Sequence, residues 1–466
     1  MRLFSNKRKT TKKIVPGLAA LFIAILCSQA HADACWDPEH YKNVQYKGSV
    51  GSLRPFNQST PIANAVIEPA WYFKSGTSFW TPGFVQGKSN NQGNFSFSGR
   101  SCMAANKANP AIGFIRVWAP GHIAKVVSAS IYGDTVDIGK VVLAPAKKTV
   151  GWAGLRESFY GATSNGFDEV NPDAEVYNFP SVDDYSAGIK NTSAAWVTTV
   201  YNTAIWNVTE VDYDTQGIIM QFAKPNNAPN DSKFTFTTKL GKKDFELNHD
   251  AYLNKFDQDS KSRIFLGIEP GHANINTTIK LILEKYKNHS SVAGISVDTE
   301  FYEYAGEWDD ESQWPAHPCA NPDKPEALLG CNKKVSDDTA LYWDMLIKSY
   351  NPSYRLILKH WNPAALPPKY RGDIIFVTDT QETGSLKNHQ NEVAAWSKAF
   401  AGNDIMLQAG YPADWDWISA LSPNDTAKLP YEMAKAMLPQ IDSHQAFGIV
   451  WVDFSLRKTF PKIFKK

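Results

Sequence analysis

Short apolar runs separated by clusters of Gly, Pro, Asn and Ser fill the chain from about residue 44 to 146, with no helical spacing. That pattern predicts strands and tight turns, and so a small all-β sandwich. From about residue 150 it changes, and runs of Val, Ile, Leu and Phe alternate with amphipathic stretches, as βα units around a parallel sheet do. Eight runs qualify as strands: 194–200, 217–223, 263–269, 294–300, 354–360, 373–379, 404–410 and 447–453. Between them lies 3-4 apolar spacing, as in Ile279, Leu281, Ile282 and Tyr286, or Val393, Trp396 and Phe400. The expected fold is α/β, a closed (β/α)8 TIM barrel preceded by the sandwich. An open doubly wound sheet would need a Gly-rich phosphate turn after its first strand, and no G-x-G-x-x-G or Walker motif occurs.

At 466 residues, 43% hydrophobic and 20% charged, the chain is ordinary globular protein. Its start is not ordinary. Arg2, Lys7, Arg8, Lys9, Lys12 and Lys13 precede the apolar run Ile14–Leu26, and Ala30-His31-Ala32 offers a small-residue cleavage site. Residues 1–32 read as a signal peptide, 33–147 as the sandwich and 148–466 as the barrel. The apolar run falls short of the roughly 20 residues needed to cross a bilayer, so no membrane segment and a secreted or periplasmic location are expected. Without the leader, 42 basic side chains face 47 acidic ones, which excludes nucleic acid as an expected partner. In an oxidising compartment Cys319 and Cys331 are placed to close a short loop, and by elimination Cys35 would pair with Cys102.

Barrels carry their chemistry where strands end. The third run ends in Glu269 with His272 following, and the fourth in Asp298 and Glu300. The fifth ends in Lys359, His360 and Trp361, the sixth in Asp379, the seventh in Gln408 and Tyr411, and the eighth in Trp451 and Asp453. Strand alternation sets Ser296, Asp298 and Glu300 on one face, so two carboxyls point into the mouth and raise each other's pKa. Glu300, further out, is the candidate general acid, with Asp298 as its helper. Glu269, Asp379 and Asp453 are candidates for the second carboxylate of a glycoside hydrolysis, Glu269 slightly favoured as the neighbouring strand. Lys359, His360, Trp361, Gln408, Tyr411, Trp451 and Asp453 are candidate substrate contacts. Lys359 and Arg156 are the cations that would compensate the carboxyls if the pair were purely structural. Residues 156–190 show no regular pattern and read as a connection, with Arg156 and Tyr160 within reach of the mouth.

Two resemblances sharpen this reading. The order of "PIANAVIEP", "SNNQGNFSF", "FIRVWAPGH" and "VDIGKVVLAP" resembles the transthyretin-like, carboxypeptidase-regulatory-like sandwich, a module that usually lacks catalytic residues. The run "AGISVDTE" resembles the fourth-strand D-G-x-D-x-D-x-E motif of family 18 glycoside hydrolases, "IFLGIEPG" their S-x-G-G strand and "GIVWVDF" their last strand. The resemblance implies Glu300 as acid, Asp298 as helper, Tyr411 as the hydroxyl that positions an N-acetyl group, and Trp451 as a sugar platform. Ala293 and Ser296 stand where that family has aspartates, Gly267 where it has serine, and Glu269 where it has glycine.

The expected activity is therefore cleavage of a polysaccharide, with no cofactor. Two alternatives use the same residues. Glu269, His272, Asp298, His360 and Asp379 could ligate a divalent cation in a phosphodiesterase or deacetylase, although no His-x-His or His-Glu-x-x-His spacing occurs. A non-catalytic barrel would bind a glycan through the same carboxyls.

Overall fold

The computed structural model describes residues 40–55, 58–158, 180–196, 200–212, 217–222, 225–226, 228–229, 234–235, 238–240, 243–245, 248–302, 334–379, 381–442 and 445–464. The expected leader, Cys35, Tyr160, Cys319 and Cys331 lie outside these residues; Cys102 is buried and disulfide-bonded.

The N-terminal strands are β1 (Tyr41–Leu53), β2 (Ser59–Pro61), β3 (Val66–Ser75), β4 (Ser78–Trp80), β5 (Gly87–Lys88), β6 (Asn94–Cys102), β7 (Ala111–Trp118), β8 (Lys125–Ile131) and β9 (Thr135–Leu143). They form two sheets, β2-β1-β6 with β9 parallel to β1, and β4-β3-β7-β8 with β5 beside β3. One core joins the sheets: Val44, Tyr46 and Val50 from β1 meet Ile67, Trp71, Ile115 and Val117. The Trp71 indole donates across it to the Arg100 carbonyl at 2.7 Å.

Eight parallel strands close a barrel in the order β10 (Thr149–Glu157), β11 (Tyr201–Asn207), β17 (Ser262–Ile268), β18 (Val292–Asp298), β19 (Arg355–His360), β20 (Ile375–Thr378), β21 (Ile405–Ala409) and β22 (Ala446–Val452). Helices α1 (Val182–Ala194), α2 (His249–Asp257), α3 (Ile275–Tyr286), α4 (Asp337–Lys348), α5 (Leu386–Ala399), α6 (Trp415–Ser419), α7 (Leu429–Met437) and α8 (Leu456–Thr459) surround it. Between β19 and β20 the described chain makes only a 3-10 turn, Pro363–Ala365. Side-chain caps start the long helices: Asn274 Oδ1 accepts from Thr277 N–H and Ser336 Oγ from Thr339 N–H.

Two of the eight expected strands are corrected. The described residues of the run 194–200 form no barrel strand: α1 runs to Ala194, and β11 begins only at Tyr201. Residues 217–223 contribute β13 (Gly217–Met220), which pairs with β12 (Thr209–Asp212) and β14 (Phe234–Thr235) in a small sheet outside the barrel. A hairpin of β15 (Thr238–Leu240) and β16 (Lys243–Phe245) follows. The strands missed were β11, which begins directly after the first expected run, and β10, whose sequence TVGWAGLRE holds two glycines and ends in charge. An apolar run signals burial but not the sheet it joins, and burial inside a barrel needs no long apolar run when neighbours supply the packing.

The sandwich rests on the barrel. Phe79 meets Tyr342 of α4 edge-on at 5.3 Å, and Asp338 accepts from Phe84 N–H at 2.8 Å. Arg116, paired with Glu68 at 2.9 Å, also donates to the Gly402 carbonyl at 2.9 Å. Among the described residues no helix is long and apolar enough to cross a membrane.

Candidate active site

Alternation along the strands decides which side chains enter the barrel. Trp152, Ile205, Phe265, Ile357, Val377, Met406 and Val450 form one interior cluster, while Leu155, Ala204, Leu266, Val297, Leu358, Leu407 and Trp451 pack outward against the helices. Above the interior cluster, seven neighbouring strands present a polar residue at or just beyond their C-terminal ends. In order around the barrel these are Arg156, Asn207, Glu269, Asp298, Lys359, Asp379 and Gln408, all buried.

The ring is continuous. Arg156 donates to Glu269 Oε1 at 2.8 Å and lies 3.8 Å from Asp298. Asn207 donates to the same Glu269 oxygen at 3.0 Å. Gly267 makes room for this contact, since a Cβ there would stand 2.2 Å from Asn207 Oδ1. Lys359 pairs with Asp298 at 2.6 Å and with Asp379, and stands 3.9 Å from Glu300. Asp379 also accepts from Tyr411 and, at 2.5 Å, from Gln408.

Glu300 sits just above the ring. The strand ends at Asp298, so Glu300 is carried by a 3-10 turn, Thr299–Phe301, and not by continued alternation as expected. Thr299 anchors that turn through its hydroxyl, which donates to the Lys359 carbonyl at 2.7 Å. The Glu300 side chain is 24% exposed, against 7% for Asp298 and 5% for Asp379.

Electrostatics separate the carboxyls. Burial, reinforced by Asp379 and Asp298 against the pull of Lys359, pushes Glu300 up to about 8. Burial likewise raises Asp298 to about 6, with Lys359 opposing. At Asp379 burial acts in the same direction, but Lys359 and Arg156 outweigh it and hold the group below the usual carboxylate range. Near neutral pH the mouth therefore contains one protonated carboxyl, Glu300, beside one ionised carboxylate, Asp379.

One oxygen from each of Asp298, Glu300 and Asp379 falls within 4.8 Å of the other two, a donor set suited to a hard cation. The Lys359 ammonium, however, already contacts all three. Of the other expected ligands, Glu269 is held by Arg156 and Asn207, and His360 Nδ1 accepts from Asn362 N–H at 2.8 Å. The residues present fit a resident ammonium better than a metal ion.

Several expected substrate contacts are corrected. Trp451 is fully buried, points outward, and donates to Ser455 and Thr459 hydroxyls at 2.9 Å, so it is core and not a sugar platform. His360 follows Lys359 on the outward face, and burial lowers its pKa to about 3. Trp361 packs against the His360 ring at 5.4 Å. Asp453 turns towards β10 and accepts from Ser158 N–H at 2.7 Å, while burial lifts it to about 6. Tyr411 donates to Asp379 rather than standing free.

The sequence reading left Arg156 in a connection and passed over Glu157, Asn207, Glu210 and Gln221. Gln221 and Asn207 donate to Glu210 at 3.2 and 3.5 Å, and burial together with Asp453 raises Glu157. For Arg156, Glu157 and Asn207 the only signal is the Arg-Glu and Asn endings of two unrecognised strands, while Gln221 lies within the expected run 217–223.

No family model matches the chain, and no curated protein matches it. Among solved structures, a type II cohesin–X-dockerin complex from Acetivibrio cellulolyticus aligns at 10% identity and TM-score 0.15, over 22% of this chain and 59% of that one. A glycosyl hydrolase family 2 member from Bacteroides cellulosilyticus aligns at 9% identity and TM-score 0.27, over 84% and 41%. Bacteroides uniformis β-glucuronidase 2 aligns at 9% identity and TM-score 0.31, over 89% and 44%. This chain thus spans about two fifths to three fifths of these proteins, and likeness this loose transfers neither fold nor chemistry. These comparisons do not confirm the family 18 resemblance.

Proposed function

We propose that the chain is a glycoside hydrolase of (β/α)8 type in which Glu300 is the general acid and Asp379 the ionised partner. The carrying observation is the pairing of a partly exposed carboxyl pushed up to about 8 with a carboxylate held low by Lys359, at one open barrel end. Glu300 would protonate the departing glycosidic oxygen, and Asp379 would stabilise or attack the anomeric carbon. One oxygen of each approaches the other within 4.8 Å, nearer to the retaining arrangement, with carboxyls about 5–5.5 Å apart, than to the wider gap that admits a water. Glu269, the partner favoured on sequence grounds, pairs with Arg156 and is not among the oxygens that approach Glu300 within 4.8 Å, so we assign it a positioning role. Secretion and the leader up to Ala32 belong to the same reading, since polysaccharides are met outside the cytoplasm.

The test is hydrolysis by residues 33–466 across chitin, peptidoglycan and neutral glycans, with Glu300→Gln and with chelator. Turnover lowered about 10²–10⁴-fold in the variant and indifferent to chelator is expected. Turnover abolished by chelator would establish a metal hydrolase instead, and turnover unchanged in Glu300→Gln would remove Glu300 from the chemistry.

A further inference from the structure

Beside the ring lies a cleft of about 600 Å³, within the range of roughly 300–1,000 Å³ typical of small-molecule sites. His272, three residues beyond Glu269, and Tyr302, two beyond Glu300, form one wall, and the first turns of α3 and α4 form the other. We propose that this cleft is a second saccharide-binding site, taking a neutral or amine-bearing sugar unit of the chain that is cut at Glu300; it rests on the glycosidase reading above.

The cleft is built before any ligand arrives. Trp343 meets Tyr302 edge-on at 5.4 Å, and its indole donates to Asn276 Oδ1 at 3.0 Å. Tyr342 is half-buried and braced by Phe79 of the sandwich. Trp343 and Tyr302 are buried supports, and the half-buried Tyr342 ring they stand beside offers a sugar C–H face an apolar surface with little ordering cost. Around them stand Asn274, Asn276, Thr339 and Asp338, small polar groups. The sandwich thereby acquires a part in recognition, because Phe79 holds Tyr342 and Phe84 N–H holds Asp338.

Charge selects the sugar. Among the described residues the cleft is lined by Asp338 and by no Lys or Arg. In the adjoining mouth both cations, Arg156 and Lys359, are already paired with Glu269, Asp298 and Asp379. Uronates and sulfated sugars are recognised by unengaged Arg or Lys, and a carboxylate facing a carboxylate is repelled. A sugar hydroxyl or ammonium can instead donate to the Asp338 carboxylate, one oxygen of which also accepts from Phe84 N–H.

Binding separates this proposal from the catalytic one. Glu300→Gln full-length protein is applied to an array of neutral, amino-sugar and uronate oligosaccharides, and the best tetrasaccharide and its disaccharide are then measured by calorimetry. Tyr342→Ala and Asn276→Ala are expected to weaken the tetrasaccharide at least tenfold while leaving the disaccharide unchanged, and Tyr342→Phe, which keeps the ring and its packing, to bind like the parent. Equal tetrasaccharide binding in Tyr342→Ala and Asn276→Ala, preference for uronates, or no oligosaccharide bound at all would overturn the cleft assignment. Turnover that survives Glu300→Gln would overturn the catalytic reading alone.

Discussion

The barrel buries a charged cluster at each end, and the two are built differently. At the N-terminal end, Lys348 donates to Asp344 at 2.8 Å, to Asp373 at 2.6 Å and to the Tyr354 carbonyl at 2.9 Å. The second Asp344 oxygen accepts from Tyr370, and Arg355 bridges the Asp373 carbonyl and Asp404. No side-chain atom of these residues is buried without a partner. At the mouth, Glu269 Oε2, Asp298 Oδ1 and Gln408 Oε1 are buried acceptors with no donor. An unmet buried acceptor costs about 1–3 kcal/mol, so a fold retains such groups where something other than stability uses them. The floor closes its hydrogen bonds internally; the mouth leaves acceptors for a ligand.

The strongest contrast is in turnover. Asp379→Asn should lower kcat about 10²–10⁴-fold, whereas Asp404→Asn, in the floor cluster, should leave kcat unchanged and lower only the melting temperature. Equal effects on kcat would erase the distinction between the two ends. Next in size is the floor itself. Lys348→Met leaves Asp344 and Asp373 without their shared cation, and urea denaturation should show a loss of about 3–5 kcal/mol. A loss below about 1 kcal/mol would mean that the cluster is not an anchor.

The smallest effect has the opposite sign. Glu300 rises from 4.5 to about 8 on folding, so the folded form holds its proton more tightly. Its contribution is fully present below pH 4.5 and is lost as pH rises through 8. Glu300→Gln should therefore be more stable than the parent at pH 9, by roughly 1–3 kcal/mol, with the gap opening between pH 5 and 8. The same ionisation should make parental kcat/KM fall tenfold per pH unit above about 8. A profile flat to pH 10 would show that Glu300 does not donate the proton.

Much of the site could be read along single strands. Lys359 and Asp379 lie two residues beyond the buried, inward Ile357 and Val377, Gln408 lies two beyond Met406, and Asp298 shares its face with Ser296, so alternation along each run groups them without any tertiary information. The same rule failed where the strand was not recognised, at Arg156 and Asn207, or where the residue lay beyond the strand's last hydrogen bond, at Glu300 and Asp453. Trp451 shows a further failure: it sits one residue out of phase with Val450, and its place at a strand end suggested a role that its parity denies.

By itself, then, the order of residues determined that a β-rich N-terminal part precedes a parallel α/β part, and which strand ends carry carboxyls. Both are local properties, written in periodicity and side-chain type. Only the closed barrel decided that β10 completes the cylinder instead of 217–223, that Arg156 and Lys359 stand among four carboxyls, and that Glu300 is the protonated one. Those outcomes depend on strand pairing and on shared burial between groups far apart in the chain, as Asp379 is from Glu300 and Glu269 from Arg156, and a pKa or an ion pair exists only once such partners meet.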